Sequence, residues 1–208
     1  MIVIVDYGMG NLRSVEKAGL FLGKALRVTS SRRVIEKAKK IIFPGVGHFG
    51  EAVKELKARN IFDVLIKQIK RGIPFLGICL GMQLLLEESE EAPSVKGLAV
   101  LRGKVKRFKK QGLIVPQMGW NNVKIKPACR QAGTKKENIF KGIKDESMFY
   151  FAQSYYCEPK DKKVVAATTY YGIEYASSLH KDNVWAVQFH PEKSQSLGLK
   201  IFNNFLKL

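Results

Sequence analysis

The stretch Ile73–Gln83, IPFLGICLGMQ, decides how the rest of the chain is interpreted. An apolar run of strand length ends at Cys79, which has a glycine two residues away on either side, and the residues from Leu80 to Ser89 have a helical pattern. A nucleophile needs a strand-to-helix turn of this kind, because glycine lets the backbone bend sharply around an exposed side chain. The amides at the start of the following helix would favour a thiolate over a thiol. A buried core cysteine is the alternative that this segment alone leaves open.

The first part of the chain alternates strand patterns with helical patterns. The predicted strands are Ile2–Val5, Ala25–Thr29, Ile41–Phe43 and Phe75–Ile78. Helices are predicted from about Leu12, near Val34–Lys37 and from about Phe49. Such alternation is typical of parallel β-α-β units, which lie in one sheet with helices against it.

The second part of the chain has a different pattern. From residue 98 onward, short alternating strands are separated by predicted turns near Lys110–Gly112 and at Lys181–Asn183, which indicates antiparallel additions to the sheet. Ser194–Leu208 predicts an amphipathic closing helix. We therefore predict an α/β fold with a mostly parallel open sheet flanked by helices, antiparallel additions in the second half, and a single domain over residues 1–208.

A second chemically informative segment lies near the C-terminus, where the predicted strand Val184–Phe189 runs into His190, Pro191 and Glu192. Proline biases the residue before it toward an extended backbone, and residues two apart in an extended chain project to the same side. The carboxylate of Glu192 can then bond one imidazole nitrogen and leave the other free to take a proton from Cys79. Cys79, His190 and Glu192 are thus predicted to be the nucleophile, base and orienting acid of an acyl-transfer site.

Donors for a developing oxyanion are predicted after the strand pattern Lys40–Phe43. The run Pro44–Gly47, PGVG, places a glycine on each side of Val46 and leaves backbone N–H groups accessible. Stabilising a tetrahedral intermediate requires preorganised N–H donors, and the amide after the nucleophile is a natural second one. We predict the amides of Val46 and Leu80 in this role, with an ordinary glycine turn as the alternative.

These three segments resemble the triad and oxyanion strand of class I (triad-type) glutamine amidotransferases. Over its whole length, the chain resembles more narrowly the glutaminase subunits of imidazole glycerol phosphate synthase, in histidine biosynthesis. The narrower resemblance is carried by Asp6–Ser14, the PGVG form of the oxyanion strand, Pro116–Asn121 and Ser154–Tyr156. Gln153 stands where the resemblance leads us to expect histidine. Glutaminases of vitamin B6 or anthranilate synthesis share the triad and remain an alternative.

The resemblance implies an enzyme that hydrolyses glutamine through a Cys79 thioester and passes ammonia to a (β/α)8-barrel cyclase subunit in a heterodimer. It implies no cofactor and no metal ion. The residues that would help to hold glutamine are Gly47, Gln83, Ser154 and Tyr155. The residues expected at the partner interface are Asn11, Trp120 and Asn121.

Composition bounds the remaining possibilities. The 208 residues carry 36 Lys and Arg against 18 Asp and Glu, a net charge of +18, so a basic nucleic-acid-binding module is the alternative from a different functional class. The densest basic run, Lys104–Lys110, has the alternation of a strand with one solvated face. We prefer this interpretation of the run to a nucleic-acid-binding surface. Neither the cysteines nor the histidines have the spacing of a disulfide framework or a metal site. No apolar run reaches membrane-spanning length and the start lacks a basic leader, so we expect a cytoplasmic protein that does not associate with membranes.

Overall fold

The computed structural model describes residues 1–109, 111–127 and 138–208. The strands in these ranges are β1 (Ile2–Val5), β2 (Leu26–Thr29), β3 (Lys40–Gly45), β4 (Phe75–Cys79), β5 (Leu86–Ser89), β6 (Leu101–Arg107), β7 (Gln117–Ile125), β8 (Ser147–Gln153), β9 (Tyr155–Pro159), β10 (Val165–Tyr171), β11 (Ile173–Lys181) and β12 (Val184–Val187). The helices described are α1 (Leu12–Phe21), α2 (Arg32–Glu36), α3 (Phe49–Ala58), α4 (Phe62–Lys70), α5 (Leu80–Gln83) and α6 (Gln195–Lys207). Short 3-10 helices occupy Lys162–Val164 and Pro191–Lys193.

All of these strands belong to one sheet, whose main path runs β2-β1-β3-β4-β12-β11-β10-β7-β8. The strands β2, β1, β3, β4 and β12 are mutually parallel. From β12 onward the path is antiparallel, and β9 joins β11 to a side branch made of β6 and β5. The structure therefore confirms the predicted parallel sheet with antiparallel additions in the second half.

Two hydrophobic cores lie on opposite faces of this sheet, because successive strand residues point to opposite sides. In β1, Val3 and Val5 pack into one core, which includes residues of α3 and α4. Ile4 packs into the other core with residues of α1 and α6. Burial on both faces explains why the central strands are continuously apolar in sequence. No helix among the described residues is both long and apolar enough to cross a bilayer.

The helix predicted from Leu80 to Ser89 is wrong in extent. Helix α5 has only four residues, and the chain then forms β5, which pairs in parallel with β6. Leu84 and Leu85 are completely buried, and their carbonyls accept hydrogen bonds from the distant amides of Leu98 and Val100. These tertiary bonds replace the helical ones. A helix this short has only a small macrodipole. Cys79 therefore lies at a sharp turn and gains little from a helix dipole.

The other predicted elements compare closely with the structure. The turn at Lys181–Asn183 connects β11 to β12, and the predicted closing helix is α6. Residues 104–107 of the basic run form the end of β6, where Val105 is buried and Lys104 and Arg107 are exposed. Lys110, part of another predicted turn, and Cys129 lie outside the described residues.

Candidate active site

Cys79 is the last residue of β4 and has a left-handed backbone, with φ 54° and ψ −111°. Non-glycine residues rarely adopt such a conformation, and the strained ones concentrate at functional sites. Gly81 makes this turn possible, because a Cβ atom there would collide with the carbonyl oxygen of Phe43. A Cβ on Gly77 would lie 2.9 Å from the carbonyl oxygen of Gly81, so both glycines that flank the cysteine are required by close backbone approach.

Strand register brings three distant parts of the chain to one edge of the sheet. Gly45 at the end of β3 pairs with Cys79, and Val187 at the end of β12 pairs with Ile78. Gln188 therefore follows in line beside Cys79, with His190 two residues further on. The carboxyl ends of parallel strands are where open α/β sheets place their binding sites.

His190 and Glu192 form the contact that the sequence predicts. The ring nitrogen Nδ1 lies 2.7 Å from Oε1 of Glu192, and both side chains are almost completely buried. The other ring nitrogen, Nε2, has no hydrogen-bond partner with ordinary geometry among the described residues. Burial opposes the charged ring, but negative charge on Cys79 and then on Glu192 outweighs burial and raises the pKa of His190 to about 10. The charge on the ring is therefore coupled to both its predicted partners.

The backbone of this segment is held by the sheet and by α6. The amide of His190 donates to the carbonyl of Tyr150 at 2.8 Å. The hydroxyl of Ser194, which is buried, donates to the carbonyl of His190 and accepts from the amide of Tyr150. Helix α6 packs so closely against this turn that a Cβ on Gly198 would overlap the carbonyl oxygen of Pro191.

A cavity of about 310 Å³ lies where these segments meet. Its volume is at the lower end of the range for small-molecule sites. The residues predicted from the sequence that line it are Val46, Gly47, Cys79, Leu80, Gln83, Ser154, Tyr155 and His190. Further lining residues are Glu91, Pro116, Met118, Ala152, Gln153 and Lys193. Three larger cavities among the described residues, of about 380, 480 and 620 Å³, are lined by neither cysteine nor histidine.

Comparison with known proteins identifies the family. The model of the family "Glutamine amidotransferase class-I" matches residues 3–208. This chain belongs to the class-I glutamine amidotransferase family. The amidotransferase is 45% identical to the imidazole glycerol phosphate synthase subunit HisH of Chlorobium chlorochromatii, with 100% of both chains covered. It is also 45% identical to the protein of the same name from Syntrophotalea carbinolica, over 99% of this chain and 98% of that one.

The solved structure of a glutamine amidotransferase superimposes with a TM-score of 0.75 and 21% identity, covering 99% of this chain and 97% of the other. That likeness confirms the fold. The full-length relatives confirm the resemblance to glutaminase subunits of imidazole glycerol phosphate synthase, which is the function predicted from the sequence. They favour that branch over the amidotransferases of vitamin B6 or anthranilate synthesis.

The predicted residues outside the cavity are Glu192 and the three residues expected at an interface. Glu192 contacts Nδ1 of His190, which is the position that its predicted orienting role would require. Trp120 is 43% exposed, which excludes a core position, and its ring meets that of Tyr150 edge-on. Asn121 points to the other side of β7 and donates to the carbonyl of Tyr170. Asn11 is exposed at the start of α1, where its side chain makes no capping bond.

Among the polar residues that sequence reasoning missed at the amidotransferase site are Lys193, Gln188 and Glu91. Gln188 is fully buried and its amide nitrogen lies 3.7 Å from the sulfur of Cys79. In the sequence, a glutamine within the otherwise apolar predicted strand Val184–Phe189 could have indicated this position. Glu91 accepts a 2.7 Å hydrogen bond from the amide of Phe49 at the start of α3 and also lines the cavity. Nothing local in the sequence indicates this contact, because the two residues are 42 positions apart.

Three lysines of the basic run Lys104–Lys110 form ion pairs with carboxylates: Lys104 with Glu88, Lys106 with Glu158, and Lys109 with Glu90. These pairs favour a solvated strand face over a nucleic-acid surface. Within the described ranges, no group of three or more His, Cys, Asp and Glu side chains is arranged to hold a metal ion.

Proposed function

We propose that Cys79, His190 and Glu192 are the catalytic triad with which this amidotransferase hydrolyses glutamine. One observation carries the proposal: the ends of β3, β4 and β12 converge on a single cavity lined by the sulfur and the imidazole. The 2.7 Å bond between His190 and Glu192 supports the assignment of base and orienting acid.

In the proposed reaction, glutamine binds with its side-chain amide beside Cys79, and the thiolate attacks the carbonyl carbon. The backbone N–H groups of Val46 and Leu80 stabilise the resulting oxyanion. His190 gives a proton to the departing ammonia, which leaves a γ-glutamyl thioester on the sulfur. His190 then activates the water that releases glutamate. Glu192 holds the ring in position and stabilises its charged form.

The cavity also contains groups suited to the rest of the substrate. Gly47, Gln83, Ser154 and Tyr155 are proposed to hold the glutamine. Glu91 contributes a carboxylate to the cavity lining, and such a group would pair with the α-ammonium of the amino acid. The same carboxylate binds the first amide of α3, so it would connect substrate binding to the loop that carries Val46.

We further propose that the released ammonia passes to a (β/α)8-barrel cyclase subunit in a heterodimer. Two exposed apolar side chains, Val46 and Met118, line the cavity, and exposed apolar surface marks interaction sites. Trp120 and Met148 are also exposed and belong to β7 and β8, the antiparallel pair that carries Met118. Asn11, Trp120 and Asn121 are proposed to lie at this interface. The relatives are named as subunits of a synthase, which implies a partner. Residues 1–208 would act as one cytoplasmic domain without a cofactor.

The test uses Cys79→Ala in a complex with the candidate cyclase subunit. Glutamine-dependent synthesis should be abolished, while synthesis from added ammonium salts should continue, because only ammonia production needs the sulfur. Cys157→Ala is the matched control, since Cys157 is also a buried free cysteine but does not line the cavity. Glutamine-dependent synthesis that survives Cys79→Ala would refute the triad, and a failure to bind the cyclase would refute the heterodimer.

A further inference from the structure

Gln188 is a buried amide in contact with the atom that the proposed mechanism uses as nucleophile. Its side chain has no exposure to solvent, and its backbone amide donates to the carbonyl of Ser177 at 2.9 Å. Its side-chain Nε2 lies 3.7 Å from the sulfur of Cys79. Its Oε1 accepts from Nε2 of Gln83 at 3.3 Å. The residue thus joins the nucleophile to a residue of the proposed glutamine site.

The direction of this amide chain follows from a backbone carbonyl. Gln83 is bonded to the carbonyl oxygen of Tyr155 at 3.2 Å, and a carbonyl can only accept. Gln83 must therefore place its NH2 group there, and the second hydrogen of that group points to Gln188. Gln188 must receive it with its oxygen, which leaves its own NH2 group directed at Cys79. The orientation of both amides is therefore set by the hydrogen-bond network.

The sulfur has further neighbours: the ring of His190, which interacts with it as the proposed base, and a backbone carbonyl of different character. The carbonyl oxygen of Ala152 lies 3.8 Å from the sulfur, a contact that suits a protonated S–H and repels a thiolate. An N–H donor has the opposite preference, because a hydrogen bond to an ionised acceptor is roughly twice as strong as a neutral one. Gln188 is therefore placed to favour the reactive, charged form of the nucleophile.

We propose that Gln188 is a further catalytic residue, which donates a hydrogen bond to the Cys79 thiolate and aims the sulfur into the cavity. This inference rests on the proposed role of Cys79 as nucleophile. The donor also acts before any substrate arrives, since its orientation depends only on Gln83 and the carbonyl of Tyr155.

The test measures alkylation of Cys79 by iodoacetamide as a function of pH, read from the Cys79 peptide by mass spectrometry. Gln188→Met keeps the size of the side chain and removes the donor. We expect the midpoint of its pH–rate profile to rise by about one pH unit relative to the wild type. Gln188→Glu puts a negative charge beside the sulfur, and its midpoint should rise further.

Gln68→Met is the matched control. Gln68 is equally buried and donates to the carbonyls of Ile35 and Glu36, away from the cavity. A purely structural role for Gln188 predicts that both Met variants lose stability while the alkylation midpoint stays unchanged. Profiles of both Gln188 variants that coincide with the wild type would overturn the inference. Glutaminase activity that survives Cys79→Ala would instead overturn the triad, so the two failures are distinguishable.

Discussion

Replacing Glu192 by glutamine tests how the buried His190–Glu192 pair contributes to catalysis. The carboxylate lies 2.7 Å from Nδ1, and its second oxygen, Oε2, has no hydrogen-bond partner among the described residues. An amide of the same shape can present either its oxygen or its NH2 group to the ring. In the first orientation the ring keeps its tautomer but loses a charged acceptor. In the second, Nδ1 must accept, and Nε2 then carries the hydrogen and cannot take a proton.

The two orientations bound the expected loss of activity. A hydrogen bond to a charged group contributes about 1.5–3 kcal/mol, which corresponds to roughly 10- to 150-fold in rate. Tautomer inversion accounts for the roughly 10⁴-fold loss seen when the orienting acid of a serine protease triad is neutralised. We therefore expect Glu192→Gln to lower kcat for glutamate release by about 10- to 10⁴-fold, with a smaller change in KM, because Glu192 does not line the cavity.

The assay measures glutamate release by the complex with the cyclase subunit at a saturating concentration of glutamine. Glu158→Gln is the control, since Glu158 also makes a 2.7 Å ion pair, with Lys106, but on the surface. Exposed pairs contribute about 0–1 kcal/mol to stability, and this one is remote from the cavity lining, so activity should be unchanged. A Glu192→Gln enzyme within threefold of the wild-type kcat would refute the assignment of Glu192 as the orienting acid.

Three further predictions concern the frame around the site. Gly198→Ala should destabilise the fold by about 1–3 kcal/mol and lower glutaminase activity, because its Cβ would overlap the carbonyl of Pro191, whereas Ser196→Ala on the exposed side of α6 should do neither. Tyr7→Phe should leave the free energy of unfolding unchanged or raise it by about 1 kcal/mol, because the buried Tyr7 hydroxyl has no partner among the described residues; a clear loss in urea titrations would contradict this. The raised pKa of His190 gives stability that is present below its unfolded value near 6.5 and is lost as pH rises through about 10. The free energy of unfolding of the wild type, measured relative to that of His190→Asn, should therefore fall from pH 7 to pH 10. A relative stability that does not change with pH would contradict this prediction.

Prediction from sequence worked best where the chemistry is local. The turn at Cys79 depends on its flanking glycines, and the bond between His190 and Glu192 joins residues two positions apart. It was wrong for Leu84–Leu86, where a run of leucines looks helical but is buried on every side. Distant amides compete there for the backbone carbonyls, and burial on all sides removes the periodicity that separates helix from strand.

The sequence by itself determined the α/β class, the strand-end cysteine and the segment predicted to supply its base. Only the tertiary structure decided which strands are neighbours, and hence that Gly45 and Gln188 lie beside Cys79. It also decided that Glu91 lines the same cavity. The physical reason is that strand register and amide orientation are set by hydrogen bonds between residues far apart in the chain, which leave no periodic trace in the local sequence.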